Sequence, residues 1–428
     1  MAILDTFTAN ASPELALTHQ SKNYKWQLLA LLWIAFFLNQ ADRQIFSVVL
    51  PLIKADLKLT DAELGLIASS LVWTYGMLVP VAGFVGDKMS RKTIIGSSLF
   101  FWSLATLATG LSATLTQFVL LRGVATGGGE AFYAPAANAL LSEEHKKRRS
   151  LALAIHQSAV YFGIILSGLI AGYIAEQYGW RNAFYLFGGF GILMALVIFL
   201  RLRKDKPAQS VNNVGILKTA KLVARTPTII LLTAAFACMV FVNVGYLTWM
   251  PSLLVEKFGF SITQAGFSSM FYHHLGAFFG VIIGGFLSDR FSTSNPGNRL
   301  LLQSIALFAG APFIYYIAMG DTATGTFIAL FLFGVFRGVY DSNIFASLFE
   351  VVNPAIRSSA SGLMLMCAFL VGAFSPYILG ILKPTLGLAA GMSWLWVSYF
   401  LGGTFILAGF LFFFKRDRAR MLNVLNAE

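Results

Sequence analysis

Six ionisable residues stand where an ionisable residue is expensive. Asp42, Arg43, Arg122, Glu130, Arg337 and Asp341 each lie deep inside an apolar stretch, three acids against three bases. A charge at the centre of a hydrocarbon-spanning helix costs ~2.5–3.5 kcal/mol on insertion scales, so such residues persist by pairing, by facing a wet cavity or by function. Two chemistries are open to them. A carboxyl that alternates between dry and wet surroundings, or gains and loses a guanidinium neighbour, takes up a proton in one state and releases it in another. A guanidinium keeps its charge and forks two hydrogen bonds onto a carboxylate, which makes Arg43 a candidate anchor for an anion. Asn39, one turn before Arg43, shares its helix face, and Tyr75 offers a hydroxyl from mid-span.

The elements that hold these residues follow from composition. Of 428 residues 57% are hydrophobic and only 12% are charged, whereas about a quarter of a soluble chain is charged. The apolar residues fall into twelve blocks, roughly 28–53, 64–86, 93–114, 116–141, 151–176, 181–202, 228–255, 263–288, 300–320, 323–350, 358–382 and 393–414. A bilayer core of ~30 Å needs about 20 helical residues, so the expected fold is an all-α membrane protein of twelve transmembrane helices. Asp42 lies 14 residues past Leu28, about 21 Å along a helix axis. Glu130 lies equally far past Thr116 on a span of opposite direction, so both sit near mid-depth.

Basic residues fix the expected orientation. With the N-terminus cytoplasmic, 23 Lys and Arg fall on inner loops and tails against 5 on outer loops, the bias expected of a cytoplasmic side. The net charge of +12 is then topological, and nucleic acid is not an expected partner. Residues 1–25 read as an irregular cytoplasmic arm without signal-peptide architecture. The basic segment 203–227 reads as a cytoplasmic linker containing an amphipathic stretch, VGILKTAKLVA. It separates a six-helix bundle over 26–202 from a second over 228–414, and 415–428 forms a cytoplasmic tail. Cys238 and Cys367 both fall inside spans, so no disulfide is expected.

The halves resemble each other: AGFVGDK ends the second span and GGFLSDR the eighth, the kind of internal repeat that transporters carry. GFVGDKMSRK, residues 83–92, resembles the signature between helices 2 and 3 of the major facilitator superfamily, with Ser90 where a glycine is usual. LLRGVATGGGEAFYAP in the fourth span resembles that family's second motif. A phosphate-cradling loop would need a preceding strand, which no span supplies. Asp42-Arg43, Trp73-Thr-Tyr-Gly76, Gly129-Glu-Ala131 and YLTWMPSLL are similar to the anion:cation symporter group, which includes bacterial hexuronate and sugar-acid permeases and sialin-like carriers. Spinster-like lipid carriers share the Asp-Arg and Gly-Glu features and are the rival.

The resemblance implies the major facilitator fold, two pseudo-symmetric six-helix bundles around a central cavity lined by helices 1 and 4, with both termini cytoplasmic. It assigns Asp42 and Glu130 as a proton-coupling pair with Arg122 as tuning partner; the alternative is that these are permanent salt bridges holding helices together. It makes Gly83, Gly86, Asp87, Lys88 and Arg91 a gating latch, repeated at Asp289 and Arg290. Arg43, Asn39, Tyr75, Tyr133, Tyr161, Tyr246, His274 and Arg337 are the substrate-binding candidates, the tyrosines and His274 having interior packing as the alternative. Arg337 and Asp341 are four apart, so they either neutralise each other or hold the far end of a substrate. His273 and His274 are adjacent and point ~100° apart, so no metal site and no cofactor is expected. The function expected is proton-coupled uptake of a small organic anion, a hexuronate or aldonate favoured, by a monomer in the bacterial inner membrane. The alternatives are a spinster-like carrier of lysolipids and a non-transporting membrane sensor; no enzyme constellation is present.

Overall fold

The computed structural model describes residues 13–203, 216–293 and 295–427, nearly all of them helical. Twelve long helical segments follow one another among these residues. They are α1 (Pro13–Leu57), α2 (Asp61–Lys88), α3 (Arg91–Thr109), α4 (115–144), α5 (Arg149–Tyr178) and α6 (Trp180–Arg201). After the linker come α7 (Pro227–Phe258), α8 (Ile262–Ser292), α9 (Asn298–Met319), α10 (Ala323–Phe349), α11 (Arg357–Leu386) and α12 (Leu388–Asn423). Nine of them, α2 and α5 to α12, are long and apolar enough to cross a membrane. The other three depart for visible reasons. The run Asn39-Gln40-Ala41-Asp42-Arg43-Gln44 dilutes α1, α3 is 19 residues long and opens on Arg91-Lys92, and α4 is broken.

One detail corrects the sequence reading. Helix α1 begins at Pro13, inside the expected irregular arm; proline suits a first helical turn, and Glu, Leu, Ala, Gln and Lys that follow are good helix formers. Ser90 takes φ −57°, a conformation open to any residue, so the turn between α2 and α3 needs no glycine there. The short helix Ile216–Ala224 lies in the expected amphipathic stretch. Residues 1–12 of the expected arm, 204–215 of the linker and Glu428 of the tail lie outside the described residues. So do the side chains of four latch residues, Gly83, Gly86, Asp87 and Lys88.

The repeat seen in sequence has a backbone counterpart. The turns after α1 and α7 each hold one residue in the left-handed region, Lys58 (φ 53°) and Gly259 (φ 66°). The turns after α5 and α11 each hold a glycine at positive φ with an extended ψ, Gly179 (φ 91°, ψ 151°) and Gly387 (φ 81°, ψ 157°). Helices α2 and α8 both open with a capping box, Thr60 with Glu63 and Ser261 with Gln264, which satisfies two of the amide donors a helix start leaves free.

The halves meet through α2 against α11 and α5 against α8. Trp73 Nε1 donates to the Leu370 carbonyl at 3.1 Å, and Gly168 and Gly266 touch backbone to backbone, so that a Cβ on either would overlap the other's carbonyl. At the end of the molecule bearing residues 58–61 and 259–263, Lys383 of α11 binds Asp61 of α2 at 3.1 Å. Thr263 donates to Glu176 at the same end. Toward the other end, which carries the start of α1 and the end of α12, the described ion pairs stay within a half: Arg91 with Glu143, Asp289 with Arg299, and Arg418 with Glu350.

Candidate functional site

A cavity of about 750 Å³ lies between the halves, within the range typical of small-molecule sites. Its wall is built from helix faces. Gln40, Arg43, Gln44 and Ser47 of α1 line it, as do Ala68, Leu71, Val72 and Tyr75 of α2 and His274, Ala277, Phe278 and Val281 of α8. Each set follows the i, i+3, i+4, i+7 spacing of one helical stripe. Arg122 of α4, Gln157, Ser158 and Tyr161 of α5, Asn243 and Thr248 of α7, and Arg337, Asp341 and Ser342 of α10 add to the polar lining.

Asp42 and Arg43 part company at this wall. Arg43 turns to the cavity, donating from Nε to Glu130 Oε2 at 2.7 Å and lying 4.1 Å from the centre of the Tyr75 ring. Asp42 turns away, 2% exposed, and accepts from Thr106 Oγ1 of α3 at 3.0 Å. Glu130 stands behind Arg43, 1% exposed and outside the lining. Arg122 donates from one Nη to the Arg43 carbonyl at 2.9 Å, which ties α4 to α1 beside the pair. Glu130 Oε1 and the other Arg122 Nη are buried and find no hydrogen-bond partner among the described residues.

The local fold of α4 explains how Glu130 reaches Arg43. Residues Val119–Thr126 wind as a π-helix, Gly127–Glu130 return to α, and the helix breaks at 131–132 before Tyr133–Glu144. Wide π turns inside helices frequently mark functional positions. A Cβ on Gly127 would lie 2.7 Å from the Leu71 carbonyl of α2, and one on Gly129 would lie 2.9 Å from Trp102 Cβ of α3. The bare backbone therefore lets α4 nestle between both helices. Ser98 of α3 fixes the break by donating to the Gly129 carbonyl at 2.5 Å.

In the second half Arg337 donates to His273 Nε2 at 2.8 Å and holds its Nε 3.3 Å from Asp341 Oδ2. An imidazole that accepts at Nε2 carries its proton on Nδ1 and is neutral. His274 lines the cavity, its Nδ1 2.8 Å from the Met270 carbonyl and its ring edge-on to Tyr161.

The remaining predicted residues sit elsewhere. Asn39 is buried, and its Oδ1 accepts from Gln40. Tyr133 is fully buried, donating to the Leu32 carbonyl beside His156, and Tyr246 donates to the Ser269 carbonyl beside the His273 ring. None of these three is in the cavity wall. Of the latch residues, Arg91 pairs with Glu143, Asp289 meets Arg299 at 3.5 Å and Arg290 is exposed. Gln40, Gln44 and Ser47 are absent from the expected binding residues, although their spacing with Arg43 draws a polar stripe on α1; Thr106, Gln157 and Asn243 leave no such signal. Among the described residues no cluster of three His, Cys, Asp or Glu side chains could hold a metal.

Comparison with known proteins completes the picture. Residues 32–376 match the Major Facilitator Superfamily. The chain is 27% identical to protein spinster homolog 1 of Xenopus tropicalis, over 94% of this chain and 84% of that protein. It is 25% identical to the hexuronate transporter of Bacillus subtilis (strain 168), over 86% of this chain and 90% of that protein. Among solved structures, a bacterial homolog of the human lysosomal transporter spinster, inward-facing and unoccupied, aligns with a TM-score of 0.75. That alignment covers 94% of this chain and 98% of the other at 22% identity, a likeness of fold.

Proposed function

The chain belongs to the Major Facilitator Superfamily, and we propose that it is a transporter that carries a small organic anion in symport with protons, a hexuronate or aldonate being the favoured class. In this reading all twelve helices cross a bacterial inner membrane, and the 26–202 and 228–414 bundles rock about the cavity on either side of the 203–227 linker. The basic bias of the loops near both chain ends supports a cytoplasmic position for those ends. A hexuronate transporter among its relatives supports the substrate class.

The observation that carries the reading is the contact between Arg43, in the cavity wall, and Glu130 behind it. A guanidinium in low dielectric is costly without a counter-charge, and Glu130 supplies one while the cavity is empty. A substrate carboxylate docking on Arg43 takes over that role. Glu130 is then a buried carboxylate with a rival for its partner, and taking up a proton removes its charge. Proton and anion therefore favour each other's binding, and Arg122 and Asp42 set the field around the pair. The reverse order of events releases both on the other side.

A second reading, carriage of an amphiphile, draws on the apolar part of the wall, where Phe162 of α5 and Phe278 and Ile282 of α8 line the cavity and remain about half exposed. It also draws on the spinster relatives. Uptake into proteoliposomes separates the two. Labelled hexuronate or aldonate is expected to accumulate under an inward proton gradient; uptake driven by sodium and indifferent to pH would remove the coupling, and flux of lysophospholipid alone would favour the amphiphile. Absence of flux with either class would leave a non-transporting sensor.

A further inference from the structure

The coupling scheme uses the guanidinium of the first half and leaves that of the second without a task. Arg337 enters the same cavity from α10. It is held on two sides, by the fully buried His273 behind the wall and by Asp341, which shares the lining with it. The charged groups among the described lining residues are Arg43, Arg122, Arg337 and Asp341. The first half presents Arg43 and Arg122 and the second Arg337; Arg43 and Arg337 each form an ion pair with a carboxylate of their own half, Glu130 and Asp341. The same wall carries Gln40, Gln157, Asn243 and Thr248, side chains suited to hydroxyl groups, and Asn243 Oδ1 finds no hydrogen-bond partner among the described residues.

We infer that the cavity is built for a two-ended anion, a polyhydroxylated dicarboxylate with one carboxylate on Arg43 and the other on Arg337. This deepens the organic-anion reading and rests on it. The charge balance makes the inference sharper. A dianion that displaces Glu130 and Asp341 from their guanidiniums leaves two carboxylates, and each takes one proton; a monocarboxylate on Arg43 displaces Glu130 alone. Two protons accompany a dianion and one accompanies a monoanion. The groups that face these carboxylates are known. Asp42, Arg43 and Arg122 surround Glu130. Tyr161, His273, His274, Tyr246 and Tyr399 surround the Arg337–Asp341 pair from α5, α8, α7 and α12.

The test is titration calorimetry on the full-length protein in lipid nanodiscs, with a six-carbon aldarate and the aldonate of the same chain. Each is titrated in two buffers of different ionisation enthalpy, so that protons taken up are counted. The aldarate is expected to bind at least tenfold tighter than the aldonate and to take up two protons against one. Arg337→Gln is expected to collapse the affinity ratio to near one and the proton count for the aldarate to one, and Arg337→Lys to restore part of the ratio. Aldonate binding with one proton and no preference for the aldarate, or a ratio untouched by Arg337→Gln, would overturn this inference and leave the organic-anion reading standing. Binding of neither sugar acid would overturn both.

Discussion

Arg43 Nε lies 2.7 Å from Glu130 Oε2, and the two residues come from helices that run in opposite directions, one intact and one broken. The wall of the cavity is thus a guanidinium backed by an acid, with the Tyr75 ring on the guanidinium's face. Such a pair is at once a counter-charge for an empty site and a competitor for an incoming carboxylate.

Substitutions at the pair separate its two duties. Glu130→Gln imitates the protonated acid, and its expected outcome is loss of concentrative uptake with anion exchange retained, read by gradient-driven uptake and counterflow in the same liposomes. Arg43→Lys keeps the charge and loses the fork, so anion affinity is expected to fall at least tenfold, about 1.4 kcal/mol. Full affinity in the lysine variant would take Arg43 out of the binding site.

Much of this architecture is legible in the sequence because hydropathy and charge act over whole helices. The apolar blocks, the repeated Gly-Phe-aliphatic-small-Asp-basic run and the polar turn at 39–44 all come from residue type and spacing alone. Rotation about a helix axis is harder to read. Depth puts Asp42 and Glu130 at one level and the family resemblance implies that they face one space, yet Asp42 faces Thr106 on α3 and Glu130 stands behind Arg43, because the neighbours that set their direction lie 64 and 87 residues away. The π-helical stretch of α4 is also silent, since no periodicity announces a wider turn. Tyr133 and Tyr246 show why an interior tyrosine is ambiguous: each spends its hydroxyl on a backbone carbonyl rather than on the cavity.

The Gly127-Gly128-Gly129 run gives an internal control for close packing. Cβ atoms at 127 and 129 meet the Leu71 carbonyl and the Trp102 stem, whereas one at 128 meets the Leu78 and Thr74 side chains at 3.4 and 3.8 Å, ordinary contact distances. Alanine at 127 or 129 is expected to cost about 1–3 kcal/mol by overpacking, and alanine at 128 far less. Thermal unfolding of the three variants in one detergent checks the order; equal losses at all three sites would refute the packing account.

His145 is expected to make stability depend on pH at the end that carries the start of α1. It sits in the turn between α4 and α5, edge-on to the Trp26 ring at 5.9 Å. Burial holds its pKa below the ordinary imidazole value, with Lys25 adding to the effect. A lowered folded pKa means that the unfolded chain binds the proton more readily. The stabilisation is present above about pH 6.5, the unperturbed value, and is lost as pH falls through the folded value. Melting temperature is expected to drop on acidification, with a shallower slope in His145→Gln. Identical slopes in both proteins would remove His145 as the cause.

Asp61 and Lys383 join the halves at the opposite end. The Asp61 carboxylate accepts from Lys54 of its own half at 2.7 Å and is 3.1 Å from Lys383, which also pairs with Glu256 at 2.5 Å. Any motion that opens this end must part Asp61 from Lys383. The Asp61 and Lys383 side chains are only 9% and 10% exposed, so salt screens the contact less than it screens a surface pair. A contribution of about 1 kcal/mol, the upper end for exposed pairs, corresponds to roughly a fivefold change in the open population. Spin labels at Lys58 and Leu386, beside the junction, give the readout as a distance distribution. Asp61→Asn and Lys383→Gln are each expected to raise the long-distance fraction about fivefold, and the double variant to do no more than either single one, since both remove the same contact. Additive effects, or distributions that match the unsubstituted protein, would show that the pair does not hold this end closed.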